Sequence, residues 1–190
     1  MNLIHHVFDV QAPPEKVFTS ITSADGLSSW WTTKLQADNA ERGSLFVFTF
    51  RGPFNPQLRI TEIESPSLVA WEGVSGHDAW GTTTIRFQLD RIDGGTMVSF
   101  SHQMGPDLPD DAVALANFNW GYYLDSLRLL CETGHGKPHP SGAPGARVGP
   151  PRSSELTTSI PLLESEGLGE VPSVVAAWTK WSPKRSRSRP

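Results

Sequence analysis

Apolar and polar residues alternate along six short stretches of the chain, which is the period expected of strands with one buried face. Ile85, Phe87 and Leu89, for example, are each followed by a polar residue. Turn-forming Gly, Pro, Asp and Ser residues separate the stretches from residue 45 onward, so neighbouring strands are expected to be antiparallel. The predicted strands are 3–10, 45–50, 58–64, 68–73, 82–90 and 96–102.

Two short helices are predicted between the first two of these strands. The pair Pro13-Pro14 is typical of a first helical turn, and an apolar edge follows it. Ser23 is suited to cap a second helix that ends at Trp30-Trp31. We expect these adjacent tryptophans to point in different directions, with one in the core and the other at the mouth of a pocket.

A long helix with two apolar stripes is predicted after the last strand, and it ends near Gly134. The first stripe, expected to face the sheet, comprises Val113, Ala116, Asn117, Trp120, Leu124, Leu127 and Cys131. Asn117 is its only amide, and a buried amide needs partners from the protein or from a ligand that it orients. The second stripe either packs within the domain or forms a homodimer face, and it comprises Leu115, Phe118, Tyr122 and Leu129.

These elements indicate an α+β fold in which a curved antiparallel sheet grips the long helix. The space between sheet and helix is a natural pocket. Nearly all of the apolar periodicity lies in residues 1–139, so we predict one domain there. Residues 140–190 are rich in Pro, Gly, Ser and Arg, and we predict a disordered tail.

Charge and cysteine content narrow the classes of function. Residues 1–139 carry 9 basic and 16 acidic residues, whereas residues 140–190 carry 7 and 4. An acidic domain argues against nucleic acid as a partner. Cys131 is the only cysteine, which excludes an intrachain disulfide and fits a reducing compartment. With no signal-peptide pattern and no long apolar run, we expect a soluble cytoplasmic protein without a membrane partner.

Four segments in one order resemble a known family. They are 7–18 (VFDVQAPPEKVF), 27–31 (LSSWW), 95–102 (GTMVSFSH) and 120–134, the end of the long helix. The chain resembles the START-like (SRPBCC) helix-grip superfamily, and within it the branch named for the activator of the Hsp90 ATPase. The resemblance spans about residues 3–139. It implies a seven-stranded sheet, with the missing strand between Thr32 and Asn39, and two short helices that close one end of a hydrophobic cavity.

That superfamily includes carriers, cyclases and proteins without an assigned reaction, so three hypotheses are kept. The leading one is a protein that binds an apolar or aromatic small molecule, unless the same side chains simply fill the core. The second is a chaperone-associated interaction module. The third is a cyclase-like or hydrolase-like enzyme with His102 or His6 as acid or base, and Asn117 or Tyr123 as donor. The predicted ligand-binding residues are Trp31, Trp71, Trp80, Phe87, Phe100, His102, Asn117 and Trp120.

No metal site or cofactor is expected. His135 and His139 have the spacing of two ligands on one helical face, but Gly134, Gly136 and Pro138 around them disfavour a helix. We find no phosphate-binding loop and no serine-nucleophile motif, and Gly94-Gly95 is typical of a hairpin turn.

Overall fold

One sheet of seven antiparallel strands forms the frame of the domain. The computed structural model describes residues 2–37, 39–50, 55–75 and 80–140, all within the compact unit Met1–Pro144. The strands are β1 (Asn2–Val10), β2 (Lys34–Ala37), β3 (Leu45–Thr49), β4 (Gln57–Glu64), β5 (Leu68–Ser75), β6 (Thr84–Ile92) and β7 (Gly95–Met104). Their spatial order is β1-β7-β6-β5-β4-β3-β2. The α+β helix-grip fold is thus confirmed, and β2 is the strand expected after Thr32.

The order places β1 and β7, the first and last strands of the chain, side by side. β1 and β6 each pair along their whole length with β7. Burial alternates strictly along β7, as its sequence predicts for a strand with one buried face. Because antiparallel partners share a face, the register aligns Ile60, Trp71, Ile85, His102 and Ile4 in one row across five strands.

Two helices follow β1, α1 (Pro14–Thr22) and α2 (Ala24–Trp30). Pro13 and Pro14 start α1, and the side chain of Ser23 caps α2 by accepting a hydrogen bond from the Gly26 amide at 3.0 Å. A Cβ atom on Gly26 would lie 2.6 Å from backbone atoms of Ser20, so only glycine permits the two helices to approach this closely.

The prediction for the tryptophan pair at the end of α2 is wrong. Trp30 and Trp31 are both buried, and their rings stack in parallel with centroids 5.6 Å apart. The Trp30 indole donates to the carbonyl of Ser20 at 2.9 Å, while Trp31 contacts Phe48 at 4.3 Å. Each ring therefore has its own buried partner, and burying both removes more apolar surface from water than exposing one.

The long helix, α3 (Asp110–Thr133), lies on the buried face of the sheet and contacts β1 as well as α1 and α2. Asp110 and Asp111 occupy its first turn, where carboxylates are favourable, and Gly134 ends it in a left-handed conformation with φ of 85°. Residues 135–139 then return to α2, where the amide of His139 donates to the carbonyl of Trp31. Except for Pro140, the predicted tail lies outside the described residues.

Candidate functional site

The sheet and α3 bring seven of the eight predicted ligand-binding residues together. All seven are buried between these elements, and we call them the aromatic cluster: Trp31, Trp71, Trp80, Phe87, Phe100, His102 and Trp120. Trp71, Phe87, Phe100 and His102 come from β5, β6 and β7, where the register puts them on one face. Trp31 follows α2, Trp80 precedes β6, and Trp120 is on α3.

The rings of the cluster form one continuous set of contacts. Trp120 is at its centre, with ring centroids 5.1 Å from Trp31, 4.5 Å from Phe100 and 5.7 Å from His102. Trp80 packs at 4.9 Å from His102. The set continues from Phe100 to Phe87 at 4.9 Å and from Phe87 to Trp71 at 5.8 Å. These separations and tilted geometries are those of favourable aromatic pairs.

His102 is fully buried, and both of its ring nitrogens have partners. The Trp120 indole donates to its Nδ1 at 2.8 Å. Nδ1 is therefore the acceptor, so the ring proton lies on Nε2, which donates to the hydroxyl of Thr83. That hydroxyl in turn donates to the carbonyl of Gln103 at 2.9 Å. The chain of bonds leaves no free lone pair on the imidazole.

Desolvation keeps this histidine neutral. Burial lowers the pKa of His102 from 6.5 to about 3, because the charged imidazolium would lose its hydration in an apolar surrounding. Burial also raises the pKa of Tyr123 far above the ordinary value for a phenol, with the neighbouring Tyr122 as a second cause. The interior of the site is therefore uncharged at neutral pH.

The expected burial of Asn117 is wrong. Its side chain is exposed at the edge of the sheet, where its Oδ1 accepts a hydrogen bond from Nε2 of the half-buried His6 at 3.0 Å. The predicted stripe is too wide at its amino-terminal end, because Asn117 lies beside the edge strand β1 and its polar amide stays in solvent. Asn117 instead lines an open surface groove of about 540 Å³ with Leu3, Ile4, His5, Asp110, Val113 and Ala114.

Trp71 differs in one respect from Trp30 and Trp120, two other tryptophans of the core. It is 1% exposed, and its indole N–H has no hydrogen-bond partner among the described residues. The indole N–H groups of Trp30 and Trp120, in contrast, donate to protein acceptors at 2.9 and 2.8 Å. A buried donor without an acceptor is rare in folded proteins, so this position needs an explanation.

Two residues of the site, Thr83 and Gly73, are not predicted from the sequence. Thr83 completes the hydrogen bonds of His102, but it lies before β6 and only the pairing of β6 with β7 brings it there. Gly73 is the other. A Cβ atom at this position would be 1.5 Å from the carbonyl oxygen of Trp80, so glycine is required where the Trp80 backbone crosses β5.

The second apolar stripe of α3 is partly covered. Phe118 is 64% exposed, whereas Leu115, Tyr122 and Leu129 are of intermediate exposure. On a different part of the helix surface, Arg128 forms ion pairs with Asp125 at 2.6 Å and with Glu132 at 3.1 Å, as their spacing on the helix allows.

The described part of the chain has neither a helix able to cross a membrane nor a group of side chains able to hold a metal ion. None of its helices combines the length and the apolar character that crossing a membrane requires. Across residues 2–37, 39–50, 55–75 and 80–140, no three His, Cys, Asp or Glu side chains are grouped as metal ligands.

Comparison with solved structures finds the same fold in several proteins. The Aha1 dimer from Colwellia psychrerythraea is 32% identical, with a TM-score of 0.63, and the match covers 72% of this chain and all of that one. Protein SSP2350 from Staphylococcus saprophyticus is 19% identical, with a TM-score of 0.58 and coverages of 70% and 94%. DynU16, a putative protein in the dynemicin biosynthetic locus, is 16% identical, with a TM-score of 0.61 and coverages of 72% and 49%.

Comparison with protein families gives the assignment. A search of curated proteins finds no match. The family model described as "Activator of Hsp90 ATPase homolog 1-like protein" matches residues 11–132, which is more than half of the chain and extends from the end of β1 almost to the end of α3. This chain therefore belongs to the family of activator of Hsp90 ATPase homolog 1-like proteins, in the helix-grip superfamily.

Proposed function

We propose that the domain binds an apolar or aromatic small molecule between the sheet and α3, in contact with the aromatic cluster. The observation that carries the proposal is the convergence of seven buried side chains, almost all aromatic, from four elements and two adjoining segments. Ligand sites commonly have such walls, with a small number of polar groups that fix orientation. Asn117, which is exposed, is not part of the proposed site.

The contacts within the cluster define how a ligand would enter. Because the rings touch one another, an entering molecule has to displace at least one of them and replace its contacts. Trp31 follows α2 and Trp120 is on α3, with ring centroids 5.1 Å apart, so a small separation of α2 from α3 opens a space between them. Binding should therefore change the fluorescence of these tryptophans.

The experiment is a thermal-shift and tryptophan-fluorescence screen of the full chain against fatty acids, flavonoids, steroids and aromatic polyketides. We expect at least one class to quench fluorescence saturably and to stabilise the fold by mass action, by about 2.7 kcal/mol at a hundredfold excess over Kd. Trp31→Ala should abolish the shift, whereas the exposed Asn117→Ala should retain it. If no compound shifts the transition, the cluster is a filled core and the proposal fails.

Catalysis by His102 is not supported by its geometry. A general base needs a free lone pair near the substrate and a pKa near the working pH. His102 uses Nδ1 to accept from Trp120 and Nε2 to donate to Thr83, and burial lowers its pKa to about 3. These bonds are typical of a structural histidine. Binding is therefore the better-supported of the two pocket functions.

Self-association is a second proposal, favoured by two observations. Phe118 exposes 64% of its surface in a stripe with Leu115, Tyr122 and Leu129, and the 32% identical structure from Colwellia psychrerythraea is a dimer. Isolated exposed apolar residues are ordinary, but a large aromatic ring on an apolar stripe is typical of an interface. Association with a chaperone rests on the family name alone, so we place it after self-association.

Light scattering at several concentrations tests the dimer. We expect the full chain to be dimeric at micromolar concentration and Phe118→Asp to be monomeric. Leu3→Asp is the matched control, since Leu3 is an exposed apolar residue, 53% accessible, on β1. A monomeric wild type would contradict self-association. If only Leu3→Asp dissociates the dimer, the interface lies on β1 and not on α3.

A further inference from the structure

The unpaired N–H of Trp71 constrains what the site binds. An indole N–H is only a donor, and with 1% of the residue exposed bulk water does not reach it. Leaving a buried donor unpaired costs folding free energy. Trp30 and Trp120 avoid that cost by donating their indole N–H groups to Ser20 and His102. The indole N–H of Trp71 is therefore available to donate a hydrogen bond to a bound molecule.

The position of Trp71 places this donor on the buried face of the sheet. Trp71 pairs with Ile60 of β4 on one side and with Ile85 of β6 on the other, so all three side chains share a face. Its ring meets Phe87 edge to face at 5.8 Å. The side chains of isoleucine and phenylalanine have no hydrogen-bond acceptor. The complementary acceptor must therefore come from outside these strand neighbours.

The charges around Trp71 favour a neutral acceptor. Arg59 of β4 and Arg86 of β6 lie on the opposite face of the sheet, where each is paired: Arg59 with Glu72 at 3.4 Å, and Arg86 with Glu62 at 2.9 Å. The remaining arginine of these two strands, Arg91, is exposed near the end of β6 and is paired with Glu15 at 2.5 Å. An anionic group at Trp71 would lose its hydration without gaining a cationic partner, which is costly. A carbonyl or ether oxygen accepts one hydrogen bond and loses much less hydration.

We propose that the ligand is an apolar ring compound with a neutral carbonyl or ether oxygen, and that Trp71 orients it by donating its indole N–H to that oxygen. This inference rests on the proposed binding function and adds the chemical class of the ligand. It makes Trp71 the specificity-determining residue of a site otherwise built from apolar contacts. Molecules of the same shape that lack the oxygen leave the donor unpaired and bind less tightly.

A pair of matched probes tests the proposal. Fluorenone and fluorene have nearly the same shape and differ in a carbonyl group, which only fluorenone has. We expect the full chain to bind fluorenone about tenfold more tightly than fluorene, as measured by tryptophan quenching and calorimetry. Trp71→Phe keeps an aromatic ring and removes the N–H, so it should bind the two probes equally.

Trp30→Phe is the control, because it also removes an indole N–H from the core, but one that Ser20 already accepts. This variant should keep the preference for fluorenone. If wild type binds both probes equally, or if Trp71→Phe keeps the preference, the role of Trp71 is wrong and the binding function stands. If neither probe nor any compound of the wider screen binds, both proposals fail, and the N–H of Trp71 is explained by buried water.

Discussion

The indole of Trp120 donates to Nδ1 of His102 at 2.8 Å, and this bond joins the long helix to the last strand inside the core. It also determines which nitrogen of the imidazole carries the proton. The same two rings meet edge to face, 5.7 Å apart. Trp120 thus has two roles. It lines the proposed site, and it supplies the hydrogen-bond donor that the buried Nδ1 of His102 needs.

Removing that bond should destabilise the fold. Trp120→Phe keeps an aromatic ring but leaves Nδ1 of His102 without a donor in a buried position. We expect the free energy of unfolding in urea to fall by about 1 to 3 kcal/mol more than in Trp71→Phe. Trp71→Phe is the matched control, because the same truncation there removes an N–H that has no partner. Equal losses in the two variants would show that the bond contributes nothing.

The neutral state of His102 makes stability depend on pH. Its pKa is about 3 in the folded protein and near 6.5 when unfolded, so at intermediate pH only the unfolded chain binds the proton. The contribution of the neutral His102 to the free energy of unfolding is complete above pH 6.5 and is lost as the pH falls toward 3. Between pH 7.5 and pH 5 this one group should remove about 2 kcal/mol from the free energy of unfolding.

Urea unfolding of wild type and His102→Gln at the two pH values isolates the contribution of His102 to the free energy of unfolding. The variant should lose about 2 kcal/mol less than wild type over the same interval. A second measurement does not depend on the variant being stable. In carbon-detected NMR, one histidine Cε1 signal of the folded wild type should stay constant from pH 7.5 to 4.5. Titration of every histidine signal in that range would contradict the buried neutral state.

The crossing of Trp80 over β5 should tolerate only glycine at position 73. A Cβ atom there would lie 1.5 Å from the carbonyl oxygen of Trp80, and backbone cannot move aside as a flexible side chain does. We expect Gly73→Ala to cost about 3 kcal/mol or more and to disturb the contact of Trp80 with His102. Circular dichroism and urea unfolding measure both effects.

Gly81 is the matched control for this substitution. It lies one residue after Trp80, and a Cβ atom there would have no neighbour within 4 Å in the described part of the chain. Gly81→Ala should therefore change stability only slightly, or increase it by limiting the unfolded chain. If Gly73→Ala is as well tolerated as Gly81→Ala, the two backbones are not as close as described.

The sequence predicted the parts of the fold that depend on local pattern. Alternation gave six strands, and two of them, β6 and β7, contain Phe87, Phe100 and His102 on the buried face as expected. Proline and serine marked the two short helices, and Gly134 marked the end of α3. β2 has only four residues, none of them fully buried, which is too short for a pattern, so this strand was predicted from the family resemblance instead.

The parts that escaped prediction depend on contacts between distant residues. A helical wheel puts Asn117 with Trp120, but only the position of α3 at the edge of the sheet shows that the amide is exposed. No local signal shows that Trp71 has an unpaired N–H while Trp120 has a partner. Whether a residue of the cluster binds a ligand is likewise a property of the assembled core, and it stays a prediction.

Ser126 should be the residue that holds the end of the domain in place. It is fully buried on α3, where its hydroxyl donates to the carbonyl of Trp30 at 2.9 Å and accepts from the amide of Lys137 at 2.6 Å. Ser126→Ala should lower the free energy of unfolding by about 1 to 3 kcal/mol and speed amide exchange at Lys137. The same substitution at the exposed Ser75, the last residue of β5, should do neither. Unchanged exchange in Ser126→Ala would mean that the His139 amide bond to Trp31 holds this segment by itself.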